Sequence, residues 1–160
     1  MFRIGNGIDF HKLVRDPDRP MYLGGYHVDT EYTLLGHSDA DLLLHSITDA
    51  ILGALALGDI GEHYPNTDAS IKNIASSKML KSVLQMAREK GWEIVNVDST
   101  IIAELPKISP IKQKIRESMK SILEIPLENI SVKATTMEGM GTLGRAEGMM
   151  CMSTILLEKK

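Results

Sequence analysis

The chain has 160 residues, of which 43% are hydrophobic and 24% are charged, proportions that are ordinary for one globular domain with its own core. Its 18 basic and 21 acidic side chains give a net charge of −3, which argues against a nucleic-acid partner because that function requires a basic face. No apolar run is long enough to span a bilayer, and the glycine-broken N-terminus does not resemble a signal peptide. Cys151 is the only cysteine, and its apolar neighbours predict a buried, unreactive thiol in a reducing cytoplasm.

Alternating residues at positions 2–11 predict the first β-strand. Asp9 and His11 are two positions apart in this segment, so their side chains leave the same face of the strand. Gly5 and Gly7 form a G-x-G, but no helix follows it, so the segment is not a dinucleotide-binding fingerprint. The two glycines either let another part of the backbone pass close to the strand or form a bulge in it.

A hairpin and a long helix come next. Two glycines between short apolar runs at 21–23 and 26–28 can adopt the positive φ angles of a tight turn. Ser38 and Asp41 have the spacing of a capping box, which predicts a helix from about Ser38 to Leu57. Its core-facing stripe consists of Leu43, Ile47, Ala50, Ile51 and Ala54.

His45 lies inside this otherwise apolar helix, four residues from both Asp41 and Asp49, so the three side chains share one side of it. Together with Asp9 and His11 it offers one carboxylate and two imidazoles, which suits zinc with a fourth position free for substrate. The alternative is a capped strand end and a core histidine held by a neighbouring carboxylate. Asp49 must be paired or line a polar cavity, and it could orient a metal-bound imidazole.

Polar residues at the two ends of the predicted helix allow two interpretations each. His37 and Ser38 precede its N-terminus, where free N–H groups attract anions, although Ser38 is also an ordinary N-cap. Asp59, in the turn at 58–61, would repel the negative end of the helix dipole and so is not expected to stabilise the helix. The alternative for Asp59 is a simple surface-turn aspartate.

The second half of the chain alternates between helices and strands. In order, the patterns predict a polar loop at 62–71, a helix at 77–90, a strand at 92–103, a helix begun by Ser109-Pro110, a strand at 130–136, a glycine-rich turn and a strand at 149–157. This succession predicts a single α/β (α+β) domain over residues 1–160, a mixed β-sheet with helices on one face and hairpins at its edges. Since no helix remains for the other face, we expect self-association to cover it.

The strand at 130–136 ends in two hydroxyls and a carboxylate. Glu138 could hold a hard cation such as Mg²⁺, while Thr135 and Thr136 alone would indicate only β-propensity. Arg145 and Glu147 form either a solvated ion pair or, in a symmetric oligomer, a contact around an axis.

Four motifs taken together are similar to those of one known family. They are GxGxDxH, HSDxDxxxHSxTDAxLGAxALGDIG, IIAxxPK and KATTxExxGxxGRxEG. The chain resembles the 2-C-methyl-D-erythritol 2,4-cyclodiphosphate synthases of non-mevalonate isoprenoid biosynthesis over about residues 3–157, and the second motif is long enough to be highly specific. The resemblance implies a homotrimer with active sites between adjacent subunits.

The resemblance also assigns expected roles to residues. It implies Zn²⁺ on Asp9, His11 and His45, and a second cation, Mg²⁺ or Mn²⁺, bridging the substrate diphosphate near Glu138. His37 and Thr136 match residues credited with stabilising the transition state, and Asp49 joins them in the expected catalytic set. Substrate contacts are implied for Asp9, Phe10, His11, His37 and Ser38; for Asp59, Ile60, Gly61, Tyr64, Pro65, Asn66, Thr67 and Asp68 around the methylerythritol end; for Ala103, Glu104, Leu105, Pro106, Lys107, Ile108, Ser109, Thr135, Thr136, Met137 and Glu138 around the cytidine and its phosphates; and for Thr142 and Arg145.

The implied reaction converts 4-diphosphocytidyl-2-C-methyl-D-erythritol 2-phosphate to the 2,4-cyclodiphosphate and CMP, which makes the enzyme a phosphorus–oxygen lyase. The 2-phosphate of the substrate attacks its own β-phosphorus, so the protein supplies proximity and charge neutralisation rather than a nucleophile. Two other functions use the same residues: a metal-dependent phosphohydrolase that activates water, and a non-catalytic trimer that binds metal or nucleotide.

Three positions depart from the family pattern. Asn66 stands where an aspartate is expected, and Met137 replaces a smaller polar residue. Thr142 stands where relatives carry a bulky apolar residue, which argues against a tight hydrophobic channel for an isoprenoid along the trimer axis.

Overall fold

The computed structural model describes residues 1–65, 67–69 and 72–160. Two short 3₁₀ turns, at Ser109–Ile111 and Leu127–Asn129, accompany the main elements. The elements in chain order are β1 (Phe2–Arg15), β2 (Met21–Leu23), β3 (Tyr26–Val28), β4 (Tyr32–Leu34), α1 (Leu42–Ala54), α2 (Ile60–His63), α3 (Ser76–Glu89), β5 (Trp92–Ile102), α4 (Lys112–Leu123), β6 (Ile130–Thr135), α5 (Gly141–Gly144) and β7 (Gly148–Lys159). No described helix is both long and apolar enough to cross a membrane.

The main sheet has five strands in the order β4-β1-β7-β5-β6. Only the β5–β6 pair is parallel, so the sheet is mixed, as predicted. The prediction of hairpins at its edges is wrong for β2 and β3, which form a separate two-stranded sheet. The reason is a buried carboxylate: Asp41 accepts the N–H groups of Gly24 and Gly25 at 2.9 and 2.7 Å and holds the hairpin turn at the start of α1.

Helix α1 is shorter than predicted at both ends. Asp41, rather than Ser38, is its N-cap, because the Asp41 carboxylate accepts the Leu44 N–H at 3.1 Å. The Ser38 hydroxyl instead accepts the Ala40 N–H at 3.1 Å in the preceding turn. Asp41 is fully buried; burial raises its pKa, and the three backbone N–H donors only partly oppose this. The Asp41 carboxylate therefore serves the hairpin and the cap of α1.

The predicted boundaries of the later elements agree with the structure to within a few residues. The exception is the third long helix, where Ser109–Ile111 forms a 3₁₀ turn and α4 begins only at Lys112, with no side-chain cap from Ser109. Cys151 is buried, as predicted; burial raises the pKa of its thiol to about 12, although hydrogen bonds with Ser46 and Ser153 lower it slightly.

Helix α1 lies directly on β1, and two glycines make the contact possible. A Cβ atom added at Gly5 would lie 1.9 Å from the Ala50 carbonyl oxygen, and one at Gly7 would lie 2.0 Å from the Ser46 carbonyl oxygen. Of the two interpretations of the G-x-G segment, close backbone approach is therefore confirmed. The apolar stripe predicted for α1 is fully part of the core.

The face of the sheet opposite the helices is apolar and exposed in the single chain. Along β1, Phe2, Ile4 and Phe10 are 60%, 72% and 59% exposed, and Ile8 and Met152 are also exposed beside them. We call this surface, formed by Phe2, Ile4, Ile8, Phe10 and Met152, the open face. Contiguous exposed apolar side chains of this size are typical of a surface that is covered by another chain.

Substitution of Gly7 by Ala tests the close contact. Its Cβ would overlap the Ser46 carbonyl oxygen, so α1 must move away from β1. We expect a loss of about 3 kcal/mol in the free energy of unfolding, at the upper end for an overpacked core, measured by urea denaturation. Asn6→Ala, whose side chain is exposed on the same strand, is the matched control. Equal unfolding midpoints for the two variants would contradict the role given to Gly7.

Candidate functional site

Three donor atoms from two elements converge at one point. The Asp9 Oδ2 atom lies 2.9 Å from His11 Nε2 and 3.1 Å from His45 Nδ1, and the two histidine nitrogens are 3.3 Å apart. Zinc binds such donors at about 2.0–2.1 Å, which places tetrahedral donors about 3.3 Å from one another. The spacing and chemistry of the three groups therefore fit a tetrahedral metal ion with one position left for another ligand.

Local structure explains the convergence. The period of two along β1 turns Asp9 and His11 toward α1, and the close approach at Gly7 brings the first turns of α1 within reach. His11 Nδ1 lies 2.7 Å from the Leu35 carbonyl oxygen and must donate its proton there. The Nε2 atom of the neutral ring then keeps a free lone pair for a cation.

The electrostatics favour an ionised carboxylate at this point. Burial would raise the pKa of Asp9, but hydrogen bonds with His11 and His45 and the charges of these rings outweigh it and lower the pKa to about 2. Burial would lower the pKa of His11, but the hydrogen bond and charge of Asp9 outweigh it and raise the pKa. Asp9 therefore carries its negative charge over the whole neutral range.

Asp49 does not have the partner that the sequence predicts. Its Oδ1 atom accepts the Ile60 N–H at 2.7 Å, so it ties α1 to α2 instead of orienting His45. Burial raises the pKa of Asp49, and the Ile60 N–H opposes this. The outer nitrogen of His45 lies instead 2.7 Å from the Ser76 hydroxyl and 3.2 Å from that of Ser38. Sequence reasoning missed Ser76 because nothing in its own neighbourhood indicates a distant histidine.

The three donors border a cavity of about 830 Å³. Its walls bring together many of the residues predicted to contact substrate, and they include four residues that the sequence did not indicate, namely Arg19, Leu35, Gly36 and Met79. The predicted residues in the lining are Asp9, His11, His37, Ser38, His45, Ile60, Gly61, Tyr64, Pro65 and Thr67.

Arg19 fixes the loop that carries His37. Its Nη2 atom donates to the carbonyl oxygens of Gly36 and Ser38 at 3.0 and 3.3 Å. The guanidinium also places a positive charge at the cavity wall. A cationic side chain of this kind favours anionic ligands.

Residues of the 59–68 segment have structural roles of their own. Contrary to the prediction, Asp59 does not lie at the end of α1, because α1 has already ended at Ala54; it caps α2 instead, accepting the Glu62 N–H at 3.0 Å. The Asp68 N–H donates to the Pro65 carbonyl oxygen at 2.9 Å. Asn66, one of the predicted substrate contacts, lies outside the described residues.

The second predicted group lies at the end of β6. The Thr136 hydroxyl donates to Glu138 Oε1 at 3.0 Å and accepts the Glu138 N–H at 3.2 Å. Glu138 has φ of +51°, a left-handed conformation that is uncommon outside glycine. Glu104 stabilises the turn, since its carboxylate accepts the N–H groups of Met137 and Gly139 at 3.0 and 3.4 Å.

Within one chain this group lies apart from the donor cluster. Asp9 is paired with Cys151, Cys151 with Ile101 and Ile101 with Ala134, so three strand spacings, about 14 Å, separate β1 from β6. The described lining of the cavity includes none of residues 103–109 or 135–138. A single chain therefore keeps the two groups apart.

Three further predicted residues lie elsewhere. Phe10 is on the open face, because it alternates with Asp9 and His11 along β1. Thr142 is in α5. Arg145 forms an exposed ion pair with Glu147, with Nε and Oε1 2.6 Å apart, in agreement with the solvated-pair interpretation within one chain.

Comparison with known proteins places this geometry in a family. The model of the YgbB family matches residues 2–158. A protein of Leptospira interrogans named 2-C-methyl-D-erythritol 2,4-cyclodiphosphate synthase is 56% identical over 160 residues, covering 100% of this chain and 99% of the relative. A protein of the same name from Bacillus cytotoxicus is 48% identical over 160 residues, covering 100% of this chain and 100% of the relative.

Solved structures agree with this. A Plasmodium falciparum structure described as an IspF CDP complex matches with a TM-score of 0.87 and 38% identity, covering 99% of this chain and 97% of that one. The bifunctional IspDF from Campylobacter jejuni matches with a TM-score of 0.94 and 41% identity, and 43% of its length corresponds to 100% of this chain. Since the family model and relatives above 50% identity span nearly the whole sequence, this chain belongs to the YgbB family, that of the 2-C-methyl-D-erythritol 2,4-cyclodiphosphate synthases.

Proposed function

We propose that this chain converts 4-diphosphocytidyl-2-C-methyl-D-erythritol 2-phosphate to 2-C-methyl-D-erythritol 2,4-cyclodiphosphate and CMP, as a phosphorus–oxygen lyase. The observation that carries the proposal is the convergence of Asp9, His11 and His45 on one point of an 830 Å³ cavity. Relatives that bear this activity in their names match the chain from end to end, and a CDP-bound neighbour fits a cytidine diphosphate substrate.

In this reaction the protein folds the substrate so that its 2-phosphate meets its own β-phosphorus in line. No protein nucleophile is needed, and the only cysteine is buried with its pKa raised to about 12. Zn²⁺ on Asp9, His11 and His45, and Mg²⁺ or Mn²⁺ held with Glu138, would supply the positive charge that offsets the phosphates and polarises the phosphorus.

The remaining roles belong to side chains of the cavity wall. Arg19 holds the carbonyl oxygens on both sides of His37, so the His37 side chain is presented by a fixed loop. His37 and Thr136 are the proposed donors toward the charge that develops in the transition state. Asp49 acts only indirectly, since its carboxylate fixes the start of α2, which forms part of the cavity wall.

Incubation with the cytidylylated substrate, followed by phosphorus NMR, tests the proposed reaction. We expect CMP and the cyclic diphosphate in equal amounts. An uncyclised, hydrolysed product would identify a metal-dependent phosphohydrolase instead. Tight binding of metal and CDP without turnover would identify a non-catalytic binding protein.

Replacement of His45 by Ala should remove the metal. With one of three protein donors missing, we expect zinc content to fall at least tenfold and turnover to fall with it, while the circular dichroism spectrum is retained. Zinc is measured by elemental analysis after dialysis. His27→Ala, an exposed histidine of the hairpin, is the matched control and should keep its metal. Full zinc occupancy in His45→Ala would show that the donor cluster is not the metal site.

The open face should mediate assembly into a homotrimer. Light scattering at micromolar concentration should give about three times the mass of the chain, a closed ring of identical contacts. Ile4→Lys, which adds a charge where the side chain is 72% exposed, should lower that mass. Lys81→Glu, on an exposed position of α3, should leave it unchanged. An active monomer at all concentrations would exclude a site shared between subunits.

Glu138→Gln tests the second cation site. The substitution keeps the side-chain shape but removes the charge that a hard cation prefers. We expect turnover to fall by about 10²-fold or more, as for the loss of one preorganised electrostatic group, with a higher requirement for Mg²⁺ or Mn²⁺ and unchanged zinc content. Unaltered turnover and metal titration would remove Glu138 from the site.

Mixed trimers show whether the donor cluster and the Glu138 turn meet across a subunit boundary. In a shared site, His45 comes from one subunit and Glu138 from its neighbour. Random assembly of His45→Ala and Glu138→Gln chains in equal amounts then leaves about one boundary in four with both native residues. We expect the mixture to recover about a quarter of wild-type activity after co-refolding. Recovery no greater than the mean of the two separate variants would place both residues in the same chain's site.

A further inference from the structure

The outer nitrogen of His45 leads into a buried polar chain that none of the roles above uses. His45 Nε2 lies 2.7 Å from the hydroxyl of Ser76, the first residue of α3. Ser76 is completely buried, and its hydroxyl donates in turn to Oδ1 of Asp39. The same carboxylate accepts the Ser76 N–H at 3.1 Å and the Asp41 N–H at 3.2 Å.

A bound cation would give the protons of this chain one direction, from His45 through Ser76 toward Asp39. His45 Nδ1 faces Asp9 and His11, so it must be free of a proton to act as a ligand. The imidazole proton is then on Nε2, and its acceptor is the Ser76 hydroxyl. Ser76 has a single hydroxyl proton, which it donates to the Asp39 carboxylate.

The second hydroxyl near His45 is less suited to this task. Ser38 Oγ is 3.2 Å from Nε2, against 2.7 Å for Ser76 Oγ. It also accepts the Ala40 N–H at 3.1 Å and has no carboxylate behind it among the described contacts. The direct and shorter connection from the ring to a negative charge therefore passes through Ser76.

We propose that Ser76 and Asp39 are positioning residues for the metal ligand His45, through a chain from carboxylate to hydroxyl to imidazole. Metal-bound histidines commonly donate their second N–H to such a partner, which fixes the tautomer and the ring orientation and makes the ligand nitrogen more basic. This is the role that the sequence suggested for Asp49. The inference rests on the metal site proposed above and adds to it two residues without contact to the cation or the substrate.

If Ser76 and Asp39 only stabilised the start of α3, changing them would alter the stability of the protein and not its affinity for zinc. The residue before α3, Ala75, provides no side-chain cap. Asp39 takes the place of such a cap, because its carboxylate accepts the Ser76 N–H. That bond needs only the backbone of residue 76. Loss of the Ser76 hydroxyl should therefore leave the helix start intact while breaking the connection to His45.

The experiment compares zinc affinity in the wild type and in Ser76→Ala, Asp39→Asn and the double variant, by competition with a chelator. The visible absorption of the Co²⁺-loaded proteins reports the geometry of the ligands, and the melting temperature of the metal-free proteins reports the fold. Ser77→Ala is the matched control, since it removes a neighbouring hydroxyl of the same helix turn that makes no described hydrogen bond.

We expect Ser76→Ala to weaken zinc binding by about 10–100-fold and to change the Co²⁺ spectrum, with Asp39→Asn acting in the same direction. The double variant should bind zinc as weakly as Ser76→Ala alone, because both changes interrupt one chain. Zinc affinity of Ser76→Ala within twofold of Ser77→Ala, or a change in melting temperature without a change in affinity, would overturn the inference. A wild-type protein that binds no zinc would instead refute the metal site itself.

Discussion

The contact between α1 and β1 sets the geometry on which the candidate site depends. Backbone atoms of the two elements approach so closely that a Cβ atom at Gly5 or Gly7 would overlap a carbonyl oxygen of the helix. The donors of Asp9 and His45 come from opposite sides of this contact, and their separation of 3.1 Å follows from it. A methyl group in the strand would therefore change the core and the donor spacing together, since close-packed interiors transmit such shifts.

Three aspartates, Asp9 on β1 and Asp39 and Asp41 at the start of α1, have different roles because their burial and their hydrogen-bond partners differ. Asp9 receives two imidazoles, and the balance of burial against those partners leaves its pKa at about 2. Asp41 receives only backbone N–H groups, and burial raises its pKa. Asp39 receives backbone N–H groups and the Ser76 hydroxyl. The same side chain thus serves a cluster of candidate metal donors, a structural cap or a buried hydrogen-bond chain, according to what faces it.

The sequence predicted the features that depend on local period and missed those that depend on distant partners. The spacing of Asp9 and His11 fixes their common face, and the mixed sheet follows from the order of the elements. The start of α1 was misplaced because Ser38 and Asp41 are both good caps, and only the hairpin decides between them. The partner of His45 was misassigned because Ser76 is 31 residues away and its own surroundings give no sign of the contact.

The open face and the separation of the Glu138 turn from the donor cluster follow from the same strand geometry. Asp9 and His11 point toward α1, so Phe10 between them must point to the opposite face, where it is 59% exposed. Any chain that covers this face packs on the strand that carries the donors, and assembly is thereby coupled to the site. An unrelated covering chain would bury Phe10 but bring no counterpart of the Glu138 turn. In the proposed trimer, a second copy would cover Phe10 and also contribute a Glu138 turn, and a closed ring would repeat this arrangement at every boundary.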